Sequence, residues 1–179
     1  MNINIFVEPS TTTLDVEGVT LRGYYRGLFK SIVTLEEDLS SYGNTNLHIF
    51  SEEYGVANGS DLAEEVINSD EPAVGYKTMV DSAKDQLLEA APKSDVMVIL
   101  LSTQVCQDTV DAIWEKLTDA AKPESIWCIG AAQSCLIDLD FQRLKEKDIN
   151  IITYRRVGVA RLGNEKREEL IEIVEKQSS

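Results

Sequence analysis

The chain has 179 residues, of which 43% are hydrophobic. This length allows one substantial core, so a single domain over residues 1–179 is the simplest organisation. The formal net charge is -14 at pH 7. An acidic surface repels polyanions, because binding to nucleic-acid phosphates depends on counterion release by basic side chains. We therefore expect no direct binding to duplex nucleic acid.

The sequence shows no sign of membrane insertion, secretion or a structural metal. No apolar run reaches the roughly 20 residues that span a bilayer, and the start MNINIFVEPS lacks the charge pattern of a signal peptide. We therefore expect a cytoplasmic protein without membrane contact. The three cysteines form no C-x-x-C pair, and the chain has one histidine. Neither a disulfide framework, a zinc knuckle nor a histidine-rich metal site is indicated.

Short apolar runs alternate with amphipathic segments along the whole chain. Five runs are predicted to be strands: residues 3–7, 47–50, 96–101, 126–129 and 149–153. The segments between them show helical spacing, as in YYRGLFKSIVTLEEDLSSYG, YKTMVDSAKDQLLEAA, CQDTVDAIWEKLTDAA, FQRLKEK and the closing NEKREELIEIVEKQ. Such alternation with short links is typical of a parallel sheet with helices on both faces. The predicted fold is an α/β three-layer sandwich with a mainly parallel sheet of about five strands.

Polar side chains follow four of the predicted strands. The loops are EPSTTT, which contains Ser10, then SEEYG, STQVCQD and GAAQSC. In a parallel sheet the carboxyl ends of the strands meet at one edge, where ligands bind. Any one of these loops is explained equally well as ordinary polar surface. Four of them at the same edge favour a ligand site.

The SEEYG loop supplies the candidate catalytic residues. Glu52 and Glu53 are adjacent, and their side chains would diverge in an extended chain. One of them would act as a general base towards water if the crevice desolvates it, whereas the alternative is two solvated carboxylates. Ser51, Tyr54 and Gly55 would form the pocket wall, since glycine permits a sharp exit from the strand. The tyrosine would either cover a base or pack beneath the loop.

The loops after the third and fourth strands supply further binding candidates. Ser102, Thr103 and Gln104 lie between an apolar strand and a helix, so they would hold a phosphate or sugar or form an ordinary N-cap. Gly130 lies where a backbone can approach a ligand closely. Neither G-x-G-x-x-G nor G-x-x-x-x-G-K-[ST] occurs in the chain. Dinucleotide binding of the usual kind and nucleoside-triphosphate hydrolysis are therefore disfavoured, and no cofactor is predicted.

The stretch LRGYYRGLFKS is basic and aromatic in an otherwise acidic chain. Guanidinium groups such as those of Arg22 and Arg26 bind anions in fork geometry, and tyrosines such as Tyr24 offer a face to a base. We predict that this stretch faces SEEYG across one pocket. The alternative places Tyr25 and Phe29 in the core and leaves the cations solvated.

Five other residues have chemistry that needs an assignment. His48, inside the second strand, is either a packed histidine or a pocket residue. Cys106 and Cys135 lie near helix starts, where thiol pKa values fall, but no base accompanies them in the sequence. Buried small residues are the better reading of both. Trp114 and Trp127 are predicted to be structural, because one lies on an apolar helix stripe and the other lies inside a strand.

Two short motifs in about the first 105 residues support a resemblance to a known family. The first sets a tyrosine, a glycine and a phenylalanine at a helix start, and the second ends a strand in serine, two variable residues, an aromatic and a glycine. The matching positions are Tyr25, Gly27 and Phe29, then Ser51, Tyr54 and Gly55. In these motifs the chain resembles small microbial domains of unknown function related to the YaaA-type peroxide-stress proteins.

The resemblance implies a Rossmann-like architecture similar to uracil-DNA-glycosylase-like folds, and an association with base-modification and transglycosylase enzymes. The chain departs from the family in its first loop, which has no lysine. It also lacks the Gln-Asp-Pro-Tyr-His glycosylase signature, which argues against direct uracil excision.

Together these features favour a protein that binds a nucleoside, a nucleotide or a modified base and cleaves or exchanges an N-glycosidic bond. The arginines would anchor an anionic group, the tyrosines would stack the base, and Glu52 or Glu53 would stabilise an oxocarbenium-like centre or activate water. A non-catalytic nucleotide-sensing module and an acidic interaction subunit are the alternatives. A homodimer or a protein partner is compatible with each.

Overall fold

A six-stranded sheet forms the centre of the computed structural model, which describes residues 1–67, 70–155 and 162–179. Its strands are β1 (Asn2–Val7), β2 (Asn44–Ser51), β3 (Gly55–Asn58), β4 (Val96–Leu100), β5 (Ile126–Ala131) and β6 (Asn150–Arg155). The strand order is β3-β2-β1-β4-β5-β6. All neighbouring pairs are parallel except β2 and β3. The predicted α/β sandwich with a mainly parallel sheet is confirmed.

The sheet has one strand more than predicted. β3 pairs antiparallel with β2 directly after the turn at residues 52–54. Its sequence GVAN is too short to show an alternating pattern, so no strand was predicted there. Gly55 begins β3 with a φ of 89°, a conformation that glycine adopts without steric cost. The predicted sharp exit at this glycine is confirmed.

Helices form in all five predicted segments, two of which are interrupted, and two short helices that were not predicted form at 63–66 and 133–136. The helices are α1 (Leu21–Tyr24), α2 (Phe29–Ser40), α3 (Ala63–Val66), α4 (Tyr76–Ala90), α5 (Thr103–Asp108), α6 (Trp114–Ala120), α7 (Gln133–Leu136), α8 (Gln142–Glu146) and α9 (Asn164–Ser178). The first predicted helix breaks before α2, because Gly27 has a φ of 64° that a right-handed helix does not contain. The segment 106–121 splits into α5, a 3₁₀ turn and α6. Within the described ranges, no helix is both long and apolar enough to cross a bilayer.

Two helical layers cover the two faces of the sheet. α2 and α9 pack on one face, together with side chains such as Ile5 and Val98 (the α2/α9 layer). α4, α5, α6 and α8 pack on the other, together with Phe6 and Ile99 (the α4/α6 layer). Trp127 is fully buried in the α4/α6 layer, so its predicted structural role is confirmed. Every residue of β4 is buried, as expected for a parallel strand with helices on both sides.

The strand order places a topological switch point between β1 and β4. From β1 the chain continues to β2 on one side, whereas from β4 it continues to β5 on the other. The connections therefore diverge at the carboxyl ends of β1 and β4 and leave a crevice between them. In open α/β sheets this crevice is the usual place for a ligand.

Lys147 closes the C-terminal end of α6. Its ammonium group donates hydrogen bonds to the carbonyl oxygens of Thr118, Asp119 and Ala121 at 2.9, 2.5 and 2.9 Å. These carbonyls lie at a helix end, where four acceptors lack intrahelical partners and a positive charge is favourable.

Replacing Lys147 with methionine should lower the free energy of unfolding by about 1.5–3 kcal/mol, because these carbonyls lose a charged donor. Urea unfolding followed by circular dichroism measures the change. Lys145 is exposed on the neighbouring α8, so K145M is a matched control that should change stability little. Equal losses in the two variants would contradict this role of Lys147.

Candidate functional site

A cavity of about 290 Å³ lies at the switch point. It is open to solvent on the β2 side of the switch point and is bordered by the carboxyl ends of β1 and β2 and by the first turns of α4 and α5. We call it the switch-point crevice. Its lining residues are Glu8, Pro9, Phe50, Ser51, Glu52, Glu53, Tyr76, Met79 and Val105. Ligand pockets usually measure about 300–1,000 Å³, so the crevice suits one small ligand. Its apolar wall belongs to the α4/α6 layer.

Glu8 forms hydrogen bonds between the segments that follow β1 and β4, the two strands on either side of the switch point. It directly follows β1, and its carboxylate accepts the backbone N–H of Ser102 at 2.5 Å and the Ser102 hydroxyl at 2.9 Å. Ser102 is the N-cap of α5, so the carboxylate takes the place in which an anion is favoured at a helix start. A phosphate at Ser102, as the sequence suggested, would have to displace this carboxylate. The Ser102 hydroxyl donates to Glu8 and caps no N–H of α5, so the ordinary side-chain N-cap is not formed there either.

Tyr76 and Gln104 both donate a hydrogen bond to the carboxylate of Asp108. The Tyr76 hydroxyl donates to Asp108 Oδ2 at 2.5 Å, and the Gln104 amide donates to the same oxygen at 2.7 Å. Both hydrogen bonds lower the pKa of Asp108 below its usual value, and the bond from Gln104 contributes more than the bond from Tyr76. Burial and the bond to Asp108 raise the pKa of Tyr76, so its phenol stays protonated. Tyr76 therefore ties α4 to α5, whereas the bond from Gln104 lies within α5. Thr103 is half-buried at the first position of α5.

The backbone of the SEEYG turn is fixed by the segment before α4. The Glu52 carbonyl accepts the N–H of Gly75 at 3.0 Å, and the Glu53 carbonyl accepts that of Val74 at 3.3 Å. The buried Ser51 hydroxyl accepts the Glu53 N–H at 3.2 Å. The predicted wall of SEEYG is therefore held by hydrogen bonds on both sides of the turn.

The charges of the two glutamates of this turn raise the pKa values of different tyrosines. Both glutamate side chains are exposed. Besides burial and Asp108, the charges of Glu8 and Glu52 raise the pKa of Tyr76 in the switch-point crevice. The charge of Glu53 instead adds to the effect of burial on Tyr54. This agrees with the predicted divergence of the two carboxylates: both glutamates line the crevice, but Glu53 also lines a cavity beside β3.

Tyr54 packs beneath its loop. Its hydroxyl lies 2.9 Å from the hydroxyl of Tyr25, which is 4% exposed. Burial raises the pKa of Tyr25 to about 12, and burial also raises that of Tyr54. Of the two alternatives for Tyr54, the structure therefore has the packed one. Its ring also lines a second cavity of about 630 Å³, which lies beside β3.

The basic stretch does not reach the switch-point crevice. Arg22 donates two hydrogen bonds to the Glu36 carboxylate, at 3.1 and 2.6 Å, and Glu36 is 5% exposed on α2. Neighbouring side chains of this pair belong to the α2/α9 layer, on the opposite face of the sheet. Neither Arg22 nor Arg26 lines the crevice, and Tyr24 lines a separate cavity of about 510 Å³. The switch-point crevice is thus not shared with Arg22, Tyr24 or Arg26, although Tyr54 of SEEYG meets the basic stretch at the Tyr25 hydroxyl.

Two further candidates have a local structural explanation. A Cβ at Gly130 would lie 2.7 Å from Leu100 Cδ2, so a side chain here would displace the end of the Leu100 side chain on the neighbouring strand. This close packing explains the glycine locally, and its role in ligand approach stays a prediction. The Ser10 hydroxyl donates to the Thr12 carbonyl at 2.9 Å and shapes its own loop.

His48 is a packed histidine. Its Nε2 lies 2.8 Å from Asn4 Oδ1, and its ring stacks on Phe6 with 4.7 Å between centroids. Because an amide oxygen only accepts hydrogen bonds, Nε2 carries the hydrogen. Burial lowers the pKa of His48 to about 4, so the ring is neutral near pH 7.

This depressed pKa predicts a loss of stability in acid. A histidine titrates near 6.5 in the unfolded chain, so between pH 6.5 and about 4 the unfolded state binds more protons. The stability is fully present above pH 6.5 and falls by about 2–3 kcal/mol as the pH drops to 4. Since the chain has one histidine, H48Q should flatten the dependence of Tm on pH between 5 and 6.5. Parallel profiles for the two proteins would rule this out.

Sequence reasoning missed three residues of the site: Glu8, Tyr76 and Asp108. Glu8 was detectable, because it is the first residue after β1 and belongs to the same loop as Ser10. Tyr76 follows no strand, but helices run antiparallel to the strands they precede. The first turn of such a helix therefore reaches the carboxyl edge of the sheet, and Tyr76 begins α4.

Comparison with known proteins leaves the candidate site to be judged on its geometry. No family model matches the chain, and a search of the curated proteins found no match. The resemblance to the YaaA-type domains therefore stays a prediction. In the part of the chain that the structure describes, no group of three or more His, Cys, Asp or Glu side chains is arranged to hold a metal ion.

Proposed function

We propose that the protein binds a neutral nucleoside in the switch-point crevice and cleaves or exchanges its N-glycosidic bond. The observation that supports this most is the charge of the crevice. Three carboxylates line it, those of Glu8, Glu52 and Glu53, and none of its lining residues in the described ranges is cationic. Carboxylates accept hydrogen bonds from sugar hydroxyls. They also favour the positive charge that develops at the anomeric carbon when a glycosidic bond breaks.

The same charge favours a nucleoside over a nucleotide. A phosphate would enter an acidic crevice inside a chain of net charge -14. The cation that the sequence offered as its anchor, Arg22, is bound to Glu36 instead. A volume of about 290 Å³ also favours one nucleoside over a dinucleotide. A neutral sugar with a base attached therefore fits this site best.

Glu52 is the proposed catalytic residue. Its side chain is exposed towards the crevice and forms no hydrogen bond or ion pair with another described residue, so it is available to a ligand. In cleavage, water would lose a proton to Glu52 and add to the anomeric carbon. The electron pair of the C–N bond would leave with the base. Both oxygens of Glu8 are bound to Ser102, so Glu8 is a positioning residue that fixes α5.

The proposal also covers location. We assign the protein to the cytoplasm, where nucleosides are available and thiols stay reduced. None of the three cysteines forms a disulfide, which is in keeping with a reducing compartment.

A nucleoside panel tests the proposal. The full-length protein would be incubated with purine and pyrimidine nucleosides and with their 5′-monophosphates. Chromatography would detect the free base, and thermal shift would detect binding. We expect base release from at least one nucleoside, and weaker binding of the matching monophosphate. That difference should shrink as salt screens the repulsion.

The panel also separates the alternatives. Binding without base release would support the nucleotide-sensing module. A monophosphate that binds more tightly than its nucleoside would contradict the role given to the acidic crevice. Neither binding nor release across the panel would reject the nucleoside proposal and leave the acidic interaction subunit.

A further inference from the structure

We propose that Cys106 and Cys135 form a reversible disulfide when the protein meets a hydroperoxide. Their sulfur atoms lie 2.7 Å apart. This separation exceeds the bond length of about 2.0 Å in a disulfide but is closer than the usual contact of two thiols. The pair lies outside the residues that line the switch-point crevice, so the inference does not depend on the proposed function.

The fold explains why these two cysteines meet although 29 residues separate them. Cys106 lies in α5, which follows β4, and Cys135 lies in α7, which follows β5. Because β4 and β5 are neighbouring parallel strands, the helices that follow them emerge side by side at the carboxyl edge. Both thiols are fully buried in the core of the α4/α6 layer.

Cys128 provides an internal comparison. It lies in β5 and faces the α2/α9 layer, on the other side of the sheet from the pair. Burial raises the pKa of the Cys128 thiol to about 12, so it is a poor nucleophile. The hydrogen bond with Cys106, in contrast, lowers the pKa of Cys135. Cys135 is therefore a better nucleophile than Cys128, and we place the first step of the reaction at its sulfur.

The reaction is a two-electron oxidation in two steps. The Cys135 thiolate attacks one oxygen of the hydroperoxide, and the O–O bond breaks to give a sulfenic acid and an alcohol, or water from hydrogen peroxide. The Cys106 sulfur then attacks the sulfenic sulfur. The S–O bond breaks, and the departing hydroxide takes the Cys106 proton as water. The two sulfurs supply the two electrons that reduce the peroxide.

Access to the buried thiols requires a local opening. Both sit on short helices, α5 with 6 residues and α7 with 4. Short elements open more readily than the central sheet. We therefore expect oxidation to be slower than that of an exposed thiol but to occur without global unfolding. Once formed, the bond would tie α5, which carries Asp108 and borders the crevice, to α7.

The test uses the full-length protein with the variants C106S, C135S and C128A. Each is treated with hydrogen peroxide in native buffer, blocked with an alkylating agent, and analysed by non-reducing peptide mapping. No lysine or arginine separates Cys128 from Cys135, so trypsin leaves them on one peptide and C128A is needed to identify the partner of Cys106.

We expect wild type to lose two of its three thiols and C128A to lose both of its own, each through a link between residues 106 and 135. Neither C106S nor C135S should form an intramolecular link. Dithiothreitol should reverse the link in wild type and C128A. Closing a loop of this length should also raise Tm of oxidised C128A by about 5–10 °C relative to its reduced form.

Four outcomes would overturn the proposal. One is survival of all thiols in the native protein at peroxide concentrations that consume glutathione. A second is a link that forms only in urea, and a third is a link that involves Cys128 or joins two chains. The fourth is an oxidised form that melts below the reduced one, since the sulfurs would then meet only through distortion of the fold.

Discussion

Replacing Arg22 with methionine should lower the free energy of unfolding by about 2–4 kcal/mol. The substitution keeps an apolar stem of similar length but leaves the Glu36 carboxylate without its charged partner. Glu36 is 5% exposed, so water cannot replace the two hydrogen bonds that Arg22 donates. The Arg22 side chain is itself 34% exposed, which places the expected loss below that of a fully buried pair.

Urea unfolding of three variants would separate this ion pair from other effects. R26M is the matched control, because Arg26 lies four residues away and forms no ion pair with any residue in the described ranges. It should lose little stability. The double variant R22M/E36L removes both charges and should recover most of the loss, since an apolar pair of similar volume often replaces a buried ion pair. A double variant as unstable as R22M would count against the pair.

Replacing Glu52 with glutamine should lower the rate of base release at least about a hundredfold, the lower end of the range for general base catalysis. This expectation rests on the proposed function. Glutamine has nearly the same shape but neither the charge that stabilises an oxocarbenium-like centre nor the capacity to take a proton from water. Binding of the nucleoside should change much less, because the side chain is exposed and its contacts are preserved in size.

E53Q is the matched control for this experiment, because it makes the same chemical change one residue away. The charge of Glu53 acts on Tyr25 and Tyr54, whereas that of Glu52 acts on Tyr76 in the switch-point crevice. We therefore expect E53Q to retain most of the activity. Initial rates of base release at saturating nucleoside measure both variants. Equal losses, or a larger loss in E53Q, would move the catalytic role away from Glu52.

The main strands were predictable because they are buried on both faces. A run such as 96–101 is apolar at nearly every position, and this pattern is local to the run itself. β3 was not predictable in this way. Its four residues carry no period of their own, and the strand exists because β2 offers it a partner after the glycine at position 55.

The position of the site was predictable, but not all of the residues that line it were. The rule that ligands bind at the carboxyl edge led to the SEEYG turn, which does line the crevice. The same rule did not show that Arg22 and Tyr24 lie beyond the opposite face of the sheet. The start of a helix has the same composition on either face of a sheet. The face on which a helix packs therefore cannot be predicted from the sequence of the helix alone.

The alternation of strands and helices, and the edge of the sheet at which polar groups collect, can be read from local patterns in the chain. These patterns are local because burial repeats at fixed spacing along a strand or a helix. The pairing of charged and reactive groups, in contrast, depends on the fold. Glu36 binds Arg22 across 14 residues, and Glu8 binds Ser102 across 94. Electrostatic and hydrogen-bond partners are chosen by distance in space, which no local period of the sequence records.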